Sequence, residues 1–193
     1  DSNELPKDFD ELVEYLVLSS SLDSFDPMDK AFIELGDKTF ANQKVKRSNS
    51  DLIAEYPLTE SLMAITHVWK SDEKLIVSAK GAPESIAKLC RLEPNKTKTL
   101  TEEVNEATAS GQRVLAVAKA TFPLNQKLPD TPEGFEFELL GLVGLHDPVR
   151  NGVAQAIAEC SSAGIRTVII TGDFPGTAMA VAREIGIDVS AGA

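Results

Sequence analysis

Three short segments carry residue types able to handle a phosphate-bearing ligand. Lys80-Gly81-Ala82-Pro83-Glu84 sets a cation beside two small residues at an expected strand-to-helix turn. A lysine ammonium meets phosphate oxygens as a point charge. A Gly-Ala pair leaves the backbone open to close approach by a ring or a phosphate, and a helix starting at Pro83 adds unpaired N–H groups. Ile169-Ile170-Thr171-Gly172-Asp173 puts a hydroxyl and backbone N–H groups behind an apolar run. The C-terminal ends of parallel strands are where open α/β sheets bind ligands. His146-Asp147-Pro148-Val149-Arg150 follows a second apolar run and would bring Asp147 and Arg150 to the same sheet edge as Thr171. Each segment also has a plain structural reading: a strand-to-helix turn, a solvated turn after a core strand, and a salt pair at the start of a helix.

The elements that must position these groups divide the chain in two. Phe9, Leu12, Val13, Leu16 and Val17 recur at helical spacing within an amphipathic helix over residues 8–20. Asp26-Pro27 reads as N-cap and first position of a second helix, with Gly36 as its C-cap. Residues 39–51 are polar and basic and read as a connection. LIAEYP, LMAITHVWK and KLIVSAKG, rich in β-branched and aromatic residues, read as antiparallel strands with Ser71-Asp72-Glu73 as a hairpin turn. Helices are expected over 83–89 and 101–110, a strand over 113–120, and a proline-rich loop over 122–134. From FEFELLGLVGLHDP onward the pattern becomes βαβαβ: that strand, a helix over 151–164, IRTVIITGD as a buried parallel strand, a helix over 177–185, and a further strand from Ile187. The division is placed at 137/138. The expected fold is an α+β domain, an antiparallel sheet with flanking helices, over 1–137, joined to a partial α/β domain over 138–193.

Composition narrows the function. The 193 residues include 30 acidic and 19 basic side chains, for a net charge of −11. A general nucleic-acid surface is excluded on that balance, because neutralising phosphates takes clustered Lys and Arg. A local phosphate pocket remains allowed. Cys90 and Cys160 have no metal-ligand spacing and read as reduced thiols, and no metal site is expected. No run of apolar residues is long enough for a membrane span. The acidic start, DSNELPKDFDE, does not resemble a signal peptide, and its lack of methionine suits a processed protein or a piece of a larger one.

KGAPE, DPVR and ITGD, in that order, with AGIRTVIITGD followed by GTAMAVAREIGI, resemble the cytoplasmic part of the P-type cation-transporting ATPases, in the style of the calcium and related cation pumps. The resemblance covers nearly the whole chain. It implies a nucleotide-binding domain over 1–137 and, over 138–193, part of a phosphorylation domain with a haloacid-dehalogenase-like, Rossmann-like fold. It implies ATP as ligand and Mg²⁺ as cofactor of the intact enzyme. Residue by residue, Tyr56 matches the aromatic residue that stacks on adenine, a role suited to a ring face. Lys80 matches the lysine at the bottom of the nucleotide pocket, with Gly81 and Ala82 lining it. Arg113 matches the arginine that reaches the phosphates, and Asp29 an acidic residue near the adenine amino group. Thr171, Gly172 and Asp173 match the motif that holds the transferred phosphoryl group, and Asp147 and Arg150 the motif at the domain hinge.

The departures bear on activity. The family's phosphorylated aspartate stands in DKTGT, which is absent here. Asp37-Lys38-Thr39-Phe40 begins alike but lacks Gly-Thr and follows a helix instead of an apolar strand, so it is rejected as the nucleophile. The later GDGxND motif, which supplies magnesium carboxylates, is also absent. Leu58 and Ser61 stand where some relatives carry basic residues, and Phe174-Pro175 follows Asp173. The expectation is an ATP-binding fragment, inactive by itself, of a pump that forms an aspartyl-phosphate at the cytoplasmic face of a membrane. Its partners would be the actuator, phosphorylation and transmembrane parts of the same polypeptide. The alternatives are a free-standing haloacid-dehalogenase-type phosphatase and a non-catalytic adenine-nucleotide sensor.

Overall fold

The computed structural model describes residues 5–21, 25–40, 51–146, 148–172 and 175–189. Helix α1 (Asp10–Leu18) follows a short 3-10 turn and buries Leu12, Val13, Leu16 and Val17. Helix α2 (Pro27–Thr39) opens as the sequence dictates: the Asp26 carboxylate accepts from Met28 N at 2.8 Å and Pro27 holds the first turn. Gly36 is not its C-cap. The helix runs on for three residues, and a Cβ at Gly36 would lie 2.5 Å from Val17 Cγ2. The glycine serves close packing of α2 on α1.

Five strands follow in the order β1 (Leu52–Tyr56), β2 (Ala64–Lys70), β3 (Leu75–Gly81), β4 (Arg113–Phe122) and β5 (Glu138–Leu145), each hydrogen-bonded to the next in one sheet. The first three pairings are antiparallel, and residues 71–74 close the β2–β3 hairpin, with Ser71 N donating to Lys74 O at 3.0 Å. Helix α3 (Pro83–Leu89) starts where Pro83 sets it, whereas α4 (Pro94–Ala109) begins seven residues before the expected start. Pro94 explains the difference: its fixed φ suits a first helical turn, and the polar stretch behind it has no helix breaker. Helices α5 (Val153–Ser162) and α6 (Pro175–Glu184) are the last elements among the described residues. No described helix is long and apolar enough to cross a membrane.

The placement of β5 corrects the sequence reading. FEFELLGLVGL was expected to leave the antiparallel part for a parallel sheet with VIITG. Instead β5 lies beside β4, in the sheet that contains Ile76, so the boundary at 137/138 does not separate it from the first domain. One link is ionic: Lys119 of β4 bridges Glu11 at 2.7 Å and Glu138 of β5 at 3.6 Å. The other is apolar, since Phe137 belongs to the main core and Leu139 and Leu142 pack against it. Two compact units result, 1–97 with 115–143, and 98–114 with 144–193.

In the first unit the sheet buries both faces. Alternation sends Ala64, Val68, Val77, Ala79, Ala116, Ala118 and Ala120 to one face, with Ile86 and Leu89 of α3 in the same core. Phe135, 1% exposed, stands at its centre with edge-to-face contacts to Tyr56, Phe122 and Phe137 at 5.7, 5.4 and 5.9 Å. In the second unit, residues 165–171 and 187–189 form no strand among the described residues, against the expected βαβαβ order. Val168 and Ile170 are 65% and 95% exposed. A β-branched run has strand propensity, but a strand also needs a ladder partner.

Phe135→Ala should destabilise the chain by about 3–5 kcal/mol, because it opens a cavity among three aromatic neighbours. Urea unfolding followed by near-UV circular dichroism checks this, and a loss below about 1 kcal/mol would mean the aromatic cluster is not the centre of the core.

Candidate functional site

Strand alternation turns Lys80 to the face opposite Phe135, in register with Ile65 and Val117, where α1 and α2 lie. Its side chain is 7% exposed. A buried ammonium without partners would cost several kcal/mol, and three groups meet it. The Asp29 carboxylate pairs with it directly. The Ser20 hydroxyl accepts from Nζ at 2.7 Å, and the Phe32 ring lies 4.9 Å from Nζ. Asp29 sits in the first turn of α2, where the helix dipole favours an anion, and also accepts from Ser21 N at 3.1 Å. Ser20 in turn donates to Leu16 O at 2.8 Å. The C-terminal turn of α1, the N-terminal turn of α2 and the end of β3 are thereby joined around one cation.

The turn after Lys80 is tight for a reason the sequence did not disclose. A Cβ on Gly81 would stand 2.2 Å from the Met63 carbonyl oxygen. Ala82 N donates to that oxygen at 2.8 Å, and Met63 N donates to Ser85 Oγ at 3.0 Å. The space beside Gly81 is filled by the β1–β2 connection. Ala82 is half-buried.

Tyr56 ends β1, opposite Thr66, on the face that carries Ala79 and Phe135. Its hydroxyl donates to Pro129 O at 2.7 Å, and burial pushes the phenol above its usual range, with Asp130 adding to the effect. Tyr56 and Lys80 thus reach the same end of the sheet from opposite faces. His67, which sequence reasoning passed over, shares the face of Lys80. Its Nδ1 lies 3.0 Å from Leu18 O and its Nε2 3.2 Å from Glu55 Oε2, and Trp69 Nε1 donates to the same Leu18 carbonyl at 2.9 Å. The signal was present: Ile65, His67 and Trp69 alternate along one strand face.

The remaining described candidates of the nucleotide and hinge motifs belong to the second unit. Arg113 is exposed at the first position of β4 and falls in the second unit. Within that unit Thr171 and Gly172 are exposed, and Thr171 lines a cavity of about 610 Å³ with Arg166, Met179, Ala182 and Asp188. Arg150 is exposed, and its carbonyl accepts from Val153 N at 3.2 Å. Asp147 and Asp173 lie outside the described residues. Asp37 is exposed inside the last turns of α2, a helical setting unlike a nucleophile placed behind a strand. Among the described residues no group of three His, Cys, Asp or Glu side chains could hold a metal ion. Cys90 and Cys160 are free and half-buried; burial pushes the Cys90 thiol up to about 11, which leaves it unreactive at neutral pH.

Lys80→Met should cost on the order of 3 kcal/mol by stranding the Asp29 carboxylate, and adding Asp29→Leu should recover much of that loss. Urea melts of the two single variants and the double variant measure the coupling; additive losses would show that the pair is energetically idle.

The model of haloacid dehalogenase-like hydrolases matches residues 30–193. The chain is 33% identical over 170 residues to a probable cation-transporting P-type ATPase of Mycoplasma genitalium, covering 84% of this chain and 18% of that protein. It is 30% identical over 188 residues to the sodium/potassium-transporting ATPase subunit alpha-3 of Gallus gallus, again 84% of this chain and 18% of that one. Against the endoplasmic reticulum calcium ATPase srcA of Aspergillus fumigatus it is 34% identical over 160 residues, 72% of this chain and 16% of the other. The chain therefore spans less than a fifth of the length of these relatives, all of them ATPases by name and the first a P-type cation-transporting one. With the family model covering 30–193 and these likenesses over most of its length, the chain belongs to the haloacid dehalogenase-like hydrolases.

Proposed function

We propose that this chain is the nucleotide-binding portion of a P-type cation-transporting ATPase together with part of its phosphorylation domain. The observation that carries the reading is the Lys80–Asp29 pair. The resemblance implies both residues at the adenine end of one pocket; they stand 51 positions apart in sequence and meet as a buried ion pair. The nucleotide-binding part extends through β5, and the phosphorylation part begins behind it, with Asp147 and Arg150 at the hinge.

In this reading ATP docks at the sheet end where β1 stops and β3 turns into α3. Asp29, oriented by Lys80 and by Ser21 N, accepts from the exocyclic amino group of adenine. Lys80 is committed to Asp29 and Ser20, so it fixes the acceptor's charge and position and leaves phosphate contact to Arg113. Tyr56 offers the edge it does not bury against Phe135, and Gly81 and Ala82 form the floor. Thr171, the backbone of Gly172, and Asp173 steady the phosphoryl group by preorganised hydrogen bonds. Mg²⁺ neutralises phosphate charge in the intact enzyme, and its principal ligands lie outside this chain. The accepting aspartate also lies outside it, so the chain binds nucleotide without turning it over. The parent would present this portion at the cytoplasmic face of its membrane.

Titration of the ¹⁵N-labelled chain with AMP, ADP and ATP tests the reading. Shifts should cluster on Asp29, Lys80, Gly81 and Tyr56 and be similar for all three, with affinity weak, roughly 0.1–10 mM. Shifts confined to residues 171–172 would overturn it. Labelled ATP should leave no acid-stable phosphoenzyme, and turnover that disappears in Asp37→Asn would restore the rejected nucleophile.

A further inference from the structure

His67 is 2% exposed and enclosed by acceptors. The Leu18 carbonyl already accepts from Trp69 Nε1 and carries no proton, so the 3.0 Å contact requires the hydrogen on Nδ1 of His67. That leaves Nε2 of a neutral ring with its lone pair toward the Glu55 carboxylate, 3.2 Å away. A neutral imidazole has one N–H and cannot serve both acceptors; an imidazolium serves both. The groups facing the ring come from every neighbouring element: Glu55 from β1, Lys80 from β3, Asp29 from α2, and the Leu18 carbonyl from α1. Burial and, less strongly, Lys80 oppose the proton and hold the imidazole below its usual range, while the Leu18 carbonyl, Glu55 and Asp29 favour it.

We propose that His67 is a proton-linked positioning residue for the Lys80–Asp29 site, weakening adenine recognition when it takes a proton. The inference deepens the nucleotide-binding reading and rests on it. The connections are short. Leu18, which the ring holds, is two residues before Ser20, whose hydroxyl accepts from Lys80 Nζ. Glu55, which the protonated ring would draw in, precedes Tyr56. An imidazolium also places a second positive charge beside Asp29, lowering the strength of that carboxylate as an acceptor, and crowds Lys80. Linkage then requires the reverse effect: a bound adenine lowers the proton affinity of His67 by the same factor.

Adenosine is the probe, because it has no phosphate to titrate in the range where histidine does. Ring resonances of His67 are followed from about pH 5 to about pH 8 with and without saturating adenosine. Adenosine should bind about fivefold more weakly at the acid end, and the His67 pKa should fall on binding by the matching amount. His67→Gln and Glu55→Gln should each flatten the pH dependence while adenosine still binds. An unmoved His67 pKa with adenosine bound, or a slope that persists in His67→Gln, overturns the coupling alone. The absence of adenosine shifts at every pH overturns the nucleotide-binding reading and the coupling with it. The pKa comparison uses the native chain, so it decides the matter even if a variant does not fold.

Discussion

One buried cation organises the first compact unit. Lys80 has almost no access to water, and its charge is tolerable there because Asp29, Ser20 and the Phe32 ring replace its hydration. Those partners come from two parts of the covering layer: Ser20 from just past the end of α1, Asp29 and Phe32 from α2. Satisfying the ammonium therefore fixes where both helices lie on the sheet. Apolar packing alone would allow them to slide, since hydrophobic burial is not directional; the ion pair and its hydrogen bonds are.

The same constraint determines what chemistry the cluster can do. A lysine already engaged with a carboxylate and a hydroxyl is poorly placed to collect phosphate charge. It is well placed to hold the carboxylate in one orientation. In the proposed nucleotide-binding reading, base recognition falls to Asp29 and not to the cation; the nearby ring of Tyr56 packs on the core at the end of β1. His67 extends the network to β1, where Glu55 is half exposed and gives the buried charges their link to solvent.

The second unit shows the complementary situation. Its helices are regular, with Thr177 Oγ1 donating to Gln112 O at 3.0 Å at the start of α6. Its most apolar run, over 165–170, has no ladder partner among the described residues, and Ile170 stands almost fully exposed. Family membership comes from the sequence match over 30–193, whereas the expected parallel strands are not formed among the described residues.

Local chemistry determined most of the elements. Asp26-Pro27 started α2, Pro83 started α3, and alternation in ITHVWK and LIVSAK marked strands, because caps and period-two patterns act within a few residues. The motifs that carry the family likeness were equally legible as strings. Tertiary structure decided the rest. It placed β5 beside β4, because Lys119 and the aromatic core compete for that strand with a partner the apolar run at 165–170 does not provide. It set Tyr56 and Lys80 on opposite faces, because register sums alternation over three strands. It turned Gly36 and Gly81 from a cap and an opening into packing sites, since a glycine's neighbours across space leave no trace beside it in the chain. And it buried His67 between a carbonyl and a carboxylate contributed by segments far apart in the chain, a placement that no window of sequence contains.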